Sequence, residues 1–344
     1  MHSMGVLGCG VISQFLLDGI RRAGCGLAGV CDLDAALAAK AAETWDTEVF
    51  PDYEAMLADP GVAAIVVALP SNAHYEAVCQ ALSAGKHVFC EKPLATKPAE
   101  SLDLQRRAAA AGLVLQTGYM KRFHPAYGGL KPLAETIGPL YGASVQLTLN
   151  GLGWTPAEQP QAPGGDWRWD LKRAGGGFLT HSGSHLLDLI QYLFGTPTRA
   201  FGRVLIDGSG NEYNTNVLLT CGDGLPVHLD LRYVAIEAGS SKQTPWDERV
   251  EIVGQRGRAR AEGYDWQGQT PCRLFVETPE KALEETEHDS TEQWVGEFAA
   301  FERAMSGEAT IASTGVDGYH VDVMLHQLRG LGPVPNEVSF AYEA

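Results

Sequence analysis

The chain has 344 residues, more than one ordinary hydrophobic core serves and about right for two domains. Apolar residues make up 45% of it and charged residues 20%, values that exclude a disordered chain. Lys plus Arg number 26 against 42 Asp plus Glu, a net charge of −16 that argues against nucleic acid and membranes as partners, because both are themselves anionic.

The N-terminus, Met1-His2-Ser3-Met4, runs straight into a strand-like stretch and leaves no room for a targeting segment. No run approaches the roughly 18 uninterrupted apolar residues of a membrane helix, so a cytoplasmic protein is expected. Up to about residue 120, short apolar runs alternate with helix-period segments. Strands are predicted at residues 4–7, 27–31, 64–68, 87–90 and 113–116, with helices at 11–23, 33–45, 71–84 and 98–111. The third helix shows the logic well: Ala77, Val78, Ala81 and Leu82 fall on one face, and Gly85 follows as a stop. Near-continuous apolar strands between helices predict an α/β domain, a doubly wound parallel sheet covered on both faces, over residues 1–120.

Beyond residue 120 the pattern changes. Val145, Leu147 and Leu149 alternate with polar neighbours, as do Val227, Leu229, Leu231 and Tyr233. More strands are predicted near 199–206, 215–221, 249–253 and 271–276, and helices at 178–194, 291–306 and 315–329. Residues 121–344 therefore read as an α+β domain with a mostly antiparallel open sheet, whose 315–329 helix is a candidate to pack back on the first domain. The stretch 151–176, rich in Gly, Pro and Trp, reads as a long functional loop.

Gly8-Cys9-Gly10-Val11-Ile12-Ser13 follows the first strand and opens the first helix. The first glycine permits a tight turn, and the second lets a pyrophosphate approach the helix N-terminus. Ser13 stands where a third glycine is usual. Asp32 ends the second strand about twenty residues further on, the place of an acid that takes ribose hydroxyls. The segment after it, Leu33-Asp34-Ala35-Ala36, holds no Arg or Lys for a 2′-phosphate, so NAD is favoured over NADP.

Five further segments carry a family signature. Pro70-Ser71-Asn72-Ala73-His74 follows the third strand, and Ala84-Gly85-Lys86-His87-Val88-Phe89-Cys90-Glu91-Lys92-Pro93-Leu94-Ala95 contains the fourth. Gly118-Tyr119-Met120-Lys121-Arg122-Phe123-His124-Pro125 comes next, then Gly175-Gly176-Gly177 and Gly183-Ser184-His185-Leu186-Leu187-Asp188. In this order they closely resemble the Gfo/Idh/MocA oxidoreductases, the family of glucose-fructose oxidoreductase and inositol dehydrogenase. The resemblance implies that Pro70, Ser71, Asn72, His74, Glu91 and Lys92 border the dinucleotide, with Gly8, Gly10, Val11, Ile12, Asp32 and Leu33. It also implies a cis bond at Pro93 that aims Lys92, and it places Tyr119 and Arg122 near the nicotinamide.

Lys92 lies at the carboxyl end of a parallel strand, where such sheets bind ligands. There it can take a hydroxyl proton as hydride leaves the carbinol carbon, or protonate the carbonyl in reverse, aided by the cationic nicotinamide lowering its pKa. His74 reads equally as a helix-start histidine packed against the fold.

His181 and His185 are four apart, so both imidazoles can share one face near a helix start. The family carries a catalytic His at the second position and commonly an Asp at the first. By resemblance His185 joins Lys92 in proton transfer and His181 binds a substrate hydroxyl. An HxxxH pair can also bind zinc, but no third ligand adjoins it, and no metal is expected. The seven cysteines form no CxxC pair, so reduced thiols are expected.

Ahead of this helix, Asp166-Trp167-Arg168-Trp169-Asp170-Leu171-Lys172-Arg173 sets aromatic faces beside charged groups, which suits a polyhydroxylated ring. Trp167 and Arg168 are therefore candidate substrate ligands. Anchoring a long loop is the alternative role for the tryptophans. The expected protein is an NAD-dependent dehydrogenase of a sugar or cyclitol, active in the cleft between its domains and assembled as a homodimer or homotetramer by family resemblance. Two alternatives stay open: a redox-neutral elimination or glycoside cleavage with returned hydride, and a non-catalytic NAD-binding regulator.

Overall fold

The computed structural model describes residues 1–150, 167–234, 246–265, 267–308 and 313–343. The chain begins with β1 (Ser3–Leu7), α1 (Val11–Arg22), β2 (Gly26–Cys31), α2 (Ala35–Trp45), α3 (Tyr53–Ala58), β3 (Ala64–Val67), α4 (His74–Ser83), β4 (His87–Cys90), α5 (Pro98–Ala111) and β5 (Leu115–Thr117). These five strands form one parallel sheet in the order β2-β1-β3-β4-β5. All four residues of β3 are buried, as a strand covered on both faces demands. Leu16, Leu17, Ile20, Val66 and Phe89 pack on one face, and Ile65, Val67, Val78, Leu82 and Val88 on the other. Leu7 pairs in register with Cys31 and Val67, Val67 with Cys90, and Cys90 with Thr117. The loops that follow these residues therefore leave one edge of the sheet at the same level.

The chain continues through α6 (Pro125–Gly128), α7 (Leu130–Thr136), β6 (Leu140–Asn150), α8 (Leu171–Ala174), α9 (Ser184–Phe194), β7 (Pro197–Ile206), β8 (Glu212–Cys221), β9 (Leu225–Val234), β10 (Trp246–Gly254), β11 (Gly257–Gly263), β12 (Cys272–Thr278) and β13 (Lys281–His288). It ends with α10 (Glu292–Met305), α11 (Gly315–Arg329) and β14 (Asn336–Ser339). Among the described residues the second sheet has nine strands, ordered β13-β12-β11-β10-β6-β9-β8-β7-β14. Every pair is antiparallel except β6 with β9. The expected doubly wound parallel sheet and mostly antiparallel second sheet are both present.

The division into units departs from the expected boundary at residue 120. One compact unit comprises Met1–Phe123 with Glu292–Asp322, and the other His124–Thr291 with Val323–Ala344. The physical reason is α10, whose aromatic residues complete the first core. Phe15 stacks on Trp294 and Phe89 on Phe298, each pair with centroids 4.8 Å apart. Expected elements were also incomplete: α3, α6, α7, β11, β13 and β14 have no counterpart in the predicted pattern. Among the described residues no helix is long and apolar enough to cross a membrane.

Candidate active site

The glycine turn lies at the carboxyl edge of the first sheet. Gly8 has φ +99°, and a Cβ there would stand 2.5 Å from the Ala68 carbonyl oxygen, so only glycine fits. Gly10 differs. Among the described residues a Cβ on it would meet nothing within 4 Å at the start of α1. No side chain among them caps that helix, so N–H groups of its first turn other than that of Ser13, which goes to the Gly10 carbonyl, face a possible anion. Ser13, in the usual glycine position, is fully buried and donates its hydroxyl to the Gly10 carbonyl at 2.6 Å.

Asp32 holds the turn to the end of β2. Its carboxylate accepts from the Cys9 amide at 2.7 Å and the Asp34 amide at 2.8 Å. It is half-exposed, and a carboxylate has lone pairs beyond these two bonds. Val11 and Leu33 are exposed aliphatic side chains, at 70% and 107%, flanking the uncapped helix end. An open glycine, an uncapped helix, a half-exposed acid and two bare apolar side chains fit a dinucleotide.

Lys92 leaves the same edge beyond β4. It is half-exposed, whereas Cys90, Glu91, Pro93, Leu94 and Ala95 around it are buried. The Glu91 carboxylate accepts from the Lys92 amide at 3.2 Å. Burial raises the Glu91 carboxyl to about 6, against the opposing pull of the Lys92 charge. The Lys92-Pro93 bond is cis. Past it, the Ala95 amide donates to Asp322 at 3.0 Å.

His74 is buried and bonded within the fold. Its Nδ1 lies 2.8 Å from the Pro93 carbonyl oxygen and its Nε2 2.9 Å from that of Leu69, so both ring nitrogens are engaged within the fold. Burial lowers its pKa, with the two carbonyl contacts opposing. It ties the segment carrying Lys92 to the loop after β3. Pro70 is half-exposed and Asn72 exposed, but Ser71 is buried at 1%.

Tyr119 and Arg122 lie inside the first unit. Tyr119 is fully buried and Arg122 is 7% exposed, the same exposure as His185. Arg122 pairs with Asp317 at 2.9 Å. Burial pushes the Asp317 carboxyl up, but Arg122 and the Thr314 N–H outweigh it and hold the group below its usual range. Both residues sit in the first unit's interior because the 120–123 turn packs under α10.

In the second unit, a π-helical turn at Leu179–Gly183 leads into α9. His181 lies on that turn and His185 in the first turn of α9, where Leu186, Leu189 and Ile190 are fully buried. His181 donates from Nε2 to the Arg168 carbonyl at 3.1 Å, and its ring meets the edge of Trp167 at 5.5 Å. His185 is 7% exposed. The structure thus brings Trp167 and the Arg168 backbone to His181. Asp166 and most of the expected loop, 151–166, lie outside the described residues. No cluster of three His, Cys, Asp or Glu side chains could hold a metal among the described residues.

Glu212 and Arg329 are functional candidates that the sequence reading missed. They are joined at 2.6 Å, and Glu212 is 1% exposed at its side chain. The signal was an acid at an inward position of a strand, hidden because that strand was expected to begin at residue 215. Glu297, an acid on the buried face of α10, was missed for a similar reason: an apolar stripe was read without its exceptions.

A parallel sheet with an uncapped glycine turn, an acid after the second strand and a lysine after the fourth defines a nucleotide-dependent oxidoreductase. The model of the oxidoreductase family with an NAD-binding Rossmann fold matches residues 2–119, and that of the GFO/IDH/MocA C-terminal domain matches residues 139–260. The chain belongs to the Gfo/Idh/MocA family. It is 38% identical over 264 residues to an inositol 2-dehydrogenase of Acidothermus cellulolyticus, covering 74% of this chain and 71% of that protein. An Agrobacterium radiobacter oxidoreductase solved with NAD+, L-tartaric acid and magnesium superposes with a TM-score of 0.80 at 18% identity, covering 98% of each chain. The 3-ketoreductase KijD10 of Actinomadura kijaniata, solved with NADP, gives 0.77 at 21%, covering 96% of this chain and 97% of that one. At these identities the structures establish the shared fold.

Proposed function

We propose that the protein is an NAD-dependent dehydrogenase that interconverts a secondary alcohol and a ketone on a cyclitol or related sugar, with Lys92 as its acid/base. The observation that carries this reading is Lys92 itself, half-exposed amid buried neighbours on the sheet edge that also bears the glycine turn. Gly8, Gly10, Val11 and Ile12 would hold the pyrophosphate at the start of α1, and Asp32 the ribose hydroxyls. When bound, the dinucleotide supplies the hydride acceptor for oxidation and the donor for reduction.

Lys92 accepts the hydroxyl proton during oxidation and returns one to the carbonyl oxygen during reduction. Glu91 bonds the Lys92 amide and His74 bonds the Pro93 carbonyl, so the backbone beneath the amine is held on both sides. His185 is proposed to share proton transfer and His181 to bind a substrate hydroxyl. The Trp167 ring beside His181 supports a polyol, whose C–H face stacks on an aromatic while its hydroxyls meet the imidazole. The inositol dehydrogenase among the relatives supports the cyclitol class.

The coenzyme choice rests on charge. Asp32 and Asp34 stand together after β2, and no Arg or Lys occurs in the 33–36 segment to neutralise a 2′-phosphate. A homo-oligomer is part of the same proposal. An absorbance screen at the NADH band with myo-inositol, scyllo-inositol, free sugars and glycosides tests it. The expected result is NADH accumulation with a cyclitol and NAD, and much less with NADP. Glycoside cleavage without any NADH would overturn the dehydrogenase reading, and equal use of NADP would overturn the ribose assignment.

A further inference from the structure

Glu212 is buried inside the second unit at the start of β8, where a carboxylate needs several partners. It finds them in the turn that precedes the histidine pair. Its carboxylate accepts from the Gly177 amide and from the Thr180 hydroxyl, the latter at 3.3 Å. Arg329, the last residue of α11, closes the network: its Nε lies 2.6 Å from Glu212, and its guanidinium donates to the Gly175 and Gly210 carbonyls. The guanidinium thus holds three acceptors from separate parts of the chain, a task for a planar fork of donors.

The turn has no room to relax. A Cβ on Gly177 would stand 2.6 Å from the Glu212 amide nitrogen and 2.7 Å from its carbonyl oxygen. The glycine that Glu212 grips is also the residue that holds His181. The Gly177 N–H goes to Glu212, and the Gly177 carbonyl accepts from the His181 amide at 2.9 Å. Thr180, bonded to the same carboxylate, is the residue before His181. Burial raises the Glu212 pKa, opposed by Arg329 and the Gly177 and Thr180 bonds.

From this chain of bonds we infer that Glu212, with Arg329, is a positioning residue that sets where the His181 imidazole stands when substrate binds. The inference rests on the proposed role of His181. The pair touches no substrate; it acts through one residue, Gly177. A misplacement of about 1 Å near a reacting centre costs on the order of 100-fold in rate.

A double-mutant cycle in the full-length protein tests it, with myo-inositol, or whichever cyclitol the screen finds active, and NAD as the assayed pair. Glu212→Gln keeps the shape and removes the charge. Arg329→Met, at a side chain that is 30% exposed, is the second variant should the first fail to fold. Either variant is expected to lower kcat about 10- to 100-fold while NAD binding holds. In a His181→Ala background the same change should cost less than about threefold, because residues acting through one another are not additive. Hydrogen exchange supplies a readout apart from activity: the His181 amide should exchange at least about tenfold faster in Glu212→Gln, with core amides of β9 unchanged. Equal losses with and without His181, or unchanged His181 exchange, overturn the positioning role and leave the reading of the site standing. A silent His181→Ala overturns both.

Discussion

Two glycine turns, one in each unit, are held by a carboxylate, and they differ in what that carboxylate has left to offer. Asp32 clamps the Gly8-Gly10 turn through the Cys9 amide, also accepts from the Asp34 amide of its own segment, and stays half-exposed. Glu212 clamps the Gly175–Gly177 turn through the Gly177 amide, is fully buried and is neutralised by Arg329. The first acid keeps lone pairs for a ligand; the second has been consumed by the fold. One turn is therefore built to bind, and the other to aim the histidines that follow it. A half-exposed acid and a buried one that each grip a glycine turn thus have different chemistry.

The sharpest way to break this contrast is within the first turn itself. Gly8→Ala forces a Cβ against the Ala68 carbonyl at an unfavourable φ, so it should abolish dinucleotide binding and lower the melting temperature. Gly10→Ala meets no protein atom and should leave melting unchanged, yet weaken NAD by about tenfold or more, because the added methyl enters the space a pyrophosphate would use. Melting curves and NAD titrations of the two variants check this. Equal affinity losses with equal melting losses would mean that Gly10 serves the fold alone.

A smaller effect separates buried acids from working ones. Glu297 is buried at 1% with neither carboxylate oxygen hydrogen-bonded among the described residues, and burial, with Glu91 adding to it, pushes its pKa well above the usual range. A carboxyl raised on folding favours the native state below its unfolded pKa, near 4.5, and that contribution is lost as pH rises toward the folded value. Glu297→Gln lacks this penalty. Its melting temperature should exceed the wild type's by several degrees at pH 7.5, and the gain should vanish near pH 4.5. A gain independent of pH would show that the acid is not neutral in the fold.

Much of this molecule was legible from residue pattern. The parallel sheet announced itself because strands such as Ala64–Val67 are buried on both sides and carry apolar residues throughout. The glycine turn and Asp32 were legible because their geometry admits few residue types. The missed strands were those without an apolar stripe. Arg258, Ala259, Arg260 and Ala261 of β11 alternate charge with the smallest apolar side chain, and the edge strand β13 is crowded with acids, which keep an open edge from pairing with another chain. The return of α10 to the first unit was hidden because a helix's apolar face does not say which sheet it covers. The site shows the same limit. Motif positions named Tyr119, Arg122 and His74, and a motif carries neither their burial nor the bonds of Arg122 and His74 within the fold.

Lys92 is the residue on which turnover should depend most, and replacing it by Met keeps a side chain of similar length while removing the amine. With NAD bound and a cyclitol present, Lys92→Met should show kcat lowered by about 10² to 10⁴ with the NAD dissociation constant within about twofold of the wild type. Turnover at the wild-type rate would contradict the assignment of acid/base work to this residue.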